Sequence, residues 1–331
     1  MASSNVPTGL LDVKNMDLND SDTEISSIVM DCILMENVPV QWSDVAGLGD
    51  AKEALTEAVI LPIQFSHLHT EEQIPCRRVL LIDPPGTASS DLVSRWMGKS
   101  EKLIRSVFEL ALARQPSIIC IDDVDMLCLS RLDNENVRKI KNELLISIQE
   151  VGGNEIFVIG ATNAPWLLDA DIRTCFEKCI RVPLPEENAR LMILKQHLGN
   201  MSGKLTEECI RTVANNTKDY SGADIVLVAR DALMQPVRKI QSSTHFRKIS
   251  SMCAGNEETI PEDFLVPCSP GDVGAIKMSW MEVPSEKLYV APVTTENILE
   301  SLSTTKPSID EDYMKKLDKF MEVYGQSSLE H

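Results

Sequence analysis

Four short apolar runs, set between longer amphipathic stretches, constrain this chain more than any other feature. VLLI (79–82), SIICID (117–122), EIFVIGATN (155–163) and KCIRVPL (178–184) have strand length and are rich in Ile and Val. Around them, DAKEALTEAVIL (50–61), SEKLIRSVFELALARQ (100–115) and NVRKIKNELLISIQEV (136–151) space their apolar residues at helical intervals, and Pro62 is read as closing the first. Near-continuous apolar strands alternating with helices predict an α/β fold with a parallel sheet covered on both faces. From Pro185 onward the strands give way to helical segments: NARLMILKQHLG, TEECIRTVANNT and GADIVLVARDALMQPVRKIQS. Residues 250–293 carry Pro, Gly and short alternating stretches such as AIKMSWMEV and read as a small β insertion. DEDYMKKLDKFMEVYG (310–325) reads as a closing amphipathic helix.

The expected organisation is a leader over 1–38, a large domain over 39–184, and a small helical domain with its β insertion over 185–331. The leader is polar and acidic, with weak helical periodicity only over 25–35, and reads as mostly disordered. With 331 residues, 43% of them hydrophobic, the chain has the material for one large core or two modest ones. A formal net charge of −18 argues against nucleic-acid binding, which needs a basic footprint. No apolar run approaches the ~18 residues of a membrane span, and the N-terminal stretch lacks the basic and apolar regions of a secretory signal. The nine cysteines, without a C-x-x-C pair, read as reduced thiols of a cytoplasmic protein. Cys175 and Cys179, four apart with no histidine nearby in sequence, read as packing rather than a metal site.

Two strand ends carry candidate chemistry. Ile118-Ile119-Cys120-Ile121 runs into Asp122-Asp123, an apolar strand ending in paired carboxylates; the first acid of such a pair supports Mg²⁺ and the second polarises an attacking water. Asn163 ends the next run in GATN, where an amide beside bound phosphates can orient water, since ligands of parallel sheets bind at the strands' carboxyl ends. Upstream, VLLI enters Asp83-Pro84-Pro85-Gly86-Thr87, a turn of the kind that precedes a nucleotide's phosphates. A working phosphate loop reads G-x-x-x-x-G-K-[S/T], its lysine reaching the β/γ oxygens. Here the first glycine position is Asp83, and Thr87 runs into Ala88-Ser89-Ser90.

Together, WSDVAGL (42–48), PPGT (84–87), IICIDDVD (118–125), IGATN (159–163), SGAD (221–224) and RDALMQPVRKIQ (230–241) resemble the AAA ATPases of the meiotic clade. Within that clade they resemble the vacuolar-protein-sorting branch that disassembles ESCRT-III filaments. WSDVAGLGDAKEALTEAVILPI, LLISIQEVGG and PCSPGDVGAI carry the same resemblance, which covers the chain from about Val38 to its end. It implies a three-layer α/β domain followed by a helical lid, ATP and Mg²⁺ as cofactors, and hexameric assembly with family subunits. ESCRT-III proteins, a cofactor protein contacting the β insertion, and a peripheral place at endosomes follow by the same resemblance. Asp44, Val45, Ala46 and Gly47 would line the adenine pocket, with Gly222 and Ala223 covering it. Pro84, Pro85, Gly86 and Thr87 would begin the phosphate loop. Asp122 would support Mg²⁺, Asp123 would stand where the family has its catalytic Glu, and Asn163 would be the sensor. Arg95, Trp96 and Met97 would form the pore loop, with Trp96 gripping a translocating polypeptide.

Three departures from the family fall on catalysis. Between PPGT and S-D-L-V the family has a lysine-bearing helix and an edge strand, about twenty residues that this chain lacks. Without the lysine and the helix's N-terminal amides, the phosphates lose their holders, so nucleotide binding is expected to be weak or absent. The exposed arginines that complete a neighbour's site, each worth ~10³–10⁵ in rate, are replaced by Thr174 and Cys175. Asp123 for Glu shortens the reach to water by about 1 Å, a displacement that costs on the order of 10²-fold. The expectation is a chain that hydrolyses ATP neither for itself nor for a neighbour, acting either as a non-catalytic subunit that joins or poisons family hexamers or as an inert truncated product. It keeps four strands, but one sheet face lies open where the missing helix would pack. The family's three-helix N-terminal domain is not recognisable in 1–38, so recruitment by that route is not expected.

Overall fold

The computed structural model describes residues 41–65, 76–84, 100–128, 135–151, 155–199, 205–249 and 264–325. The leader, Pro85, Gly86, Thr87, Arg95, Trp96 and Met97 lie outside the described residues. The sheet comprises β1 (Arg78–Ile82), β2 (Ser117–Ile121), β3 (Ile156–Thr162) and β4 (Lys178–Arg181), all parallel, in the order β2-β3-β1-β4. Parallel neighbours must be joined by crossovers, and the helices between the strands supply them.

Strand alternation divides the core in two. Leu80, Ile82, Ile119, Ile156 and Val158 point to one face and pack under α3 (Ser100–Ala113) and α4 (Glu135–Glu150), with Phe108, Ile140, Leu144 and Ile148 interleaved. Val79, Phe157 and Ile180 point to the other and meet Ala51, Ala58 and Val59 of the N-terminal helical segment. That segment runs as α1 (Gly49–Leu55), a π-helical stretch (Thr56–Ile60) and α2 (Leu61–Gln64). Pro62 therefore does not close the helix as the sequence suggests. The N–H of Leu61 bonds Thr56 O in the wider π pattern, and Pro62 sits at the start of a fresh turn, where its missing N–H is not needed.

This second face is covered only in part. Ile118 and Cys120 of β2 lie beside Phe157 and Ile159 of β3 in register, yet Ile118 is 49% exposed and Cys120 is exposed. Among the described residues, the exposed apolar strip lies on the strand that ends the sheet.

Between β3 and β4, α5 (Ala170–Cys175) packs in the main core of the sheet domain, and the helical part then comprises α6 (Glu187–Leu198), α7 (Glu207–Asn216), α8 (Gly222–Ser242) and α9 (Thr295–Thr304). Leu191, Leu194, Leu198, Val213, Ile225, Val228 and Ile298 make its own core. Buried Arg190 ties it together: its guanidinium donates to Ala214 O (2.9 Å) and Pro185 O (2.8 Å). A small antiparallel sheet, β6-β5-β7, is built from β5 (His245–Lys248), β6 (Leu265–Cys268) and β7 (Ile276–Lys277). Its first strand thus begins ahead of the 250–293 segment read as the insertion, because Phe246 is fully buried against Ile240 and Leu265. Finally α10 (Glu311–Tyr324) returns to the sheet domain, burying Leu317 and Phe320 in its main core. Among the described residues no helix is long and apolar enough to cross a membrane.

Candidate functional site

The carboxyl ends of β1, β2 and β3 converge, as parallel pairing requires, and bring Asp83, Asp122, Asp123 and Asn163 to one end of the sheet. The Asp83 N–H bonds Thr162 O (3.2 Å), fixing the end of β1 against β3. Asp122 is exposed and its Oδ1 accepts from the Asp123 N–H (3.0 Å). Asp123 adopts φ +48°, a left-handed conformation that Asp tolerates better than most residues. Just below, Thr162 Oγ1 donates to buried Asp125 Oδ1 (2.6 Å) and accepts from the Ala164 N–H (3.1 Å), locking the turn that carries Asn163.

The electrostatics are one-sided. Asp83 is pushed up to about 6, first by burial and then by the charges of Asp122, Asp123 and Asp125. Asp125 is also raised, by burial above all, against the lowering effect of its Thr162 bond. Carboxylates are the donors Mg²⁺ takes. Among the described residues, however, no three side chains come together to hold an ion, and no ion pair neutralises these acids. Phosphates would meet negative charge here.

The closing helix reaches this end of the sheet. The Tyr313 hydroxyl donates to Asp83 O (3.2 Å) and to Asn163 O, and burial pushes it up to about 12. Its ring meets Trp166 edge-on at 5.1 Å. Farther along α10, Asp318 pairs with Arg181 (2.9 Å), and the Arg173 guanidinium lies 4.1 Å over the Tyr324 ring. Sequence reading missed these anchors, since the partners lie over a hundred residues apart. The one available signal was the spacing Tyr313, Leu317, Phe320, which marks the inward face of α10.

The segments assigned to adenine meet across α6. A Cβ on Gly47 (φ +66°) would approach Ala189 Cβ at 3.1 Å, and one on Gly222 would lie 3.9 Å from Ile193 Cδ1. Ala189 and Ile193 are one turn apart, so Gly47 and Gly222 both lie against the same helix. A groove of about 630 Å³ lined by Gln41, Trp42, Ser43 and Val45 opens alongside. At the positions where the family carries arginines, Thr174 is exposed, whereas Cys175 is 4% exposed and belongs to the main core.

A parallel α/β domain with a helical lid and paired carboxylates at a strand end defines an AAA-type module. Comparison with known proteins agrees. The profile of the ATPase family associated with various cellular activities (AAA) matches 84–184, that of the AAA+ lid domain 208–251, and that of the Vps4 C terminal oligomerisation domain 265–325. Vacuolar protein sorting-associated protein 4A of Rattus norvegicus is 47% identical over 335 residues, covering 94% of this chain and 77% of that protein. Vacuolar protein sorting-associated protein 4 of Dictyostelium discoideum is 37% identical, covering 95% and 76%. The crystal structure of the FIGL-1 AAA domain superposes with a TM-score of 0.73 at 27% identity, covering 92% of this chain and 96% of that one. The chain belongs to the AAA ATPase family, in its vacuolar protein sorting-associated protein 4 group.

Proposed function

We propose that this chain is a non-hydrolysing AAA subunit of the vacuolar protein sorting type, which joins oligomers of its ATP-hydrolysing relatives. One observation carries the reading: Thr87 is followed by Ala88-Ser89-Ser90, and no lysine or arginine appears before Arg95. The alignment with the rat relative supports it. It spans 335 residues, while 94% of this chain's 331 is about 311, so about two dozen aligned positions have no residue here. The acidic surround of Asp83 and the burial of Cys175 point the same way: neither its own γ-phosphate nor a neighbour's meets a cation from these positions.

In this reading Asp44–Gly47, Gly222 and Ala223 give weak adenine contact, Asp122 is the residual Mg²⁺ ligand, and Asp123 and Asn163 keep their places without turnover. The large domain ends near 184 and the small one runs from 185. Assembly uses the region matched to the oligomerisation domain, at 265–325. ESCRT-III proteins, a cofactor protein at the small β sheet, and a cytoplasmic place at endosomes come with the family. The test mixes the purified full chain with an intact relative and follows elution and ATP turnover. Co-elution with a suppressed rate is the expected result; separate elution with the relative's rate unchanged would overturn the proposal.

A further inference from the structure

Among the described residues, strand β2 has a neighbour on one side only. The Ser117 N–H donates to Glu155 O (3.0 Å). By the alternation of a parallel ladder, Ser117, Ile119 and Ile121 therefore bond β3, while Ile118 and Cys120 direct their backbone N–H and C=O outward. The side chains of the same two residues are the exposed ones on the open face. Folded proteins blunt such edges with Lys, Pro, a bulge or a cover. Ser117–Ile121 has no charge, no proline and no glycine, a composition that favours strand addition.

Charge selects the occupant. A closed contact between two identical surfaces is two-fold symmetric, so β2 must meet itself antiparallel. With the axis at Ile119, Ile118 of one copy lies opposite Cys120 of the other, and Ser117 lies opposite Ile121. Beyond the strand, Arg114 lies in the turn just before β2 begins and Asp122-Asp123 follow its end, so antiparallel pairing brings the arginine end of one copy to the carboxylate end of the other. Arg114 and Asp122 are exposed and Asp123 is half-buried. Each end of the ribbon thus joins a cation to two carboxylates, and symmetry makes the match twice. A parallel meeting would instead set the four carboxylates side by side.

We propose that the open β2 edge is an interface between two copies of this chain, paired antiparallel across Ser117–Ile121, separate from the 265–325 region and independent of whether ATP is hydrolysed. The test is mild oxidation of the full-length Ile118→Cys variant. Directly opposed hydrogen-bonded residues have Cα atoms about 5.5 Å apart, within disulfide reach. The expected result is a shift to doubled mass on a non-reducing gel, lost on adding Cys120→Ser and reduced by Arg114→Glu. No covalent dimer beyond that of the parent chain, or one that survives Cys120→Ser, would overturn the proposal. Amide exchange on the parent chain gives a second readout that needs no substitution. Protection of residues 117–121 should rise with protein concentration and be lost in Ile118→Lys; protection independent of concentration would refute the interface.

Discussion

Tyr313→Phe isolates a single hydroxyl at the junction between the closing helix and the strand ends. The hydroxyl proton serves Asp83 O and Asn163 O together, so its removal subtracts about one hydrogen bond, a net ~0.5–1.5 kcal/mol. Leaving half-buried carbonyls without their donor brings the total to ~1–3 kcal/mol. The ring keeps its edge contact with Trp166, and Leu317 and Phe320 stay in the core, so packing is unchanged. The assay is native-state amide exchange of Glu311–Tyr324, which reads the opening of this helix rather than global unfolding. With tenfold per ~1.4 kcal/mol, protection should fall by about five-fold to about a hundred-fold. Protection within about two-fold of the parent, while Leu317→Ala loosens the helix strongly, would show that the hydroxyl anchors nothing.

Two further outcomes follow from the same core and site. Asp83 titrates at about 6 instead of 3.8, so between those values the folded chain holds a proton that the unfolded chain has released. Stability therefore falls as pH rises through that window and stays lower above it. Asp83→Asn should melt higher than the parent at pH 7 and converge with it below pH 3.8; an offset constant with pH would contradict this assignment. A Cβ on Gly160 would meet Phe176 Cζ at 2.6 Å, Phe176 Cε1 at 2.8 Å and Val124 Cγ2 at 3.1 Å. Gly160→Ala should accordingly destabilise by ~1–3 kcal/mol through overpacking in calorimetry or urea unfolding, and no loss would mean that the Phe176 ring is free to turn away.

The strands were legible because parallel strands read as unbroken apolar runs, β2 included although its second face is open, and all four appear within three residues of their expected ends. Pro62 misled because its effect depends on the hydrogen-bond pattern around it, and a π-helical stretch is set by packing of Ala58 and Val59 on the sheet rather than by local propensity. The candidate site was legible to the extent that its residues end strands: Asp122, Asp123 and Asn163. The Tyr313, Asp318 and Tyr324 anchors were not, since nothing local marks which residues of an amphipathic helix meet backbone oxygens 150 and 230 residues away. The exposure of Ile118 was not legible from the strand's own residues, since an apolar run alone does not say which of its faces is covered.

ATP turnover by the purified chain alone tests the central claim most directly. The account predicts no phosphate release above background, at enzyme and Mg·ATP concentrations where an intact relative turns over readily. Turnover abolished by Asp122→Asn would contradict it, and would mean that residues after Thr87 supply the missing phosphate contacts.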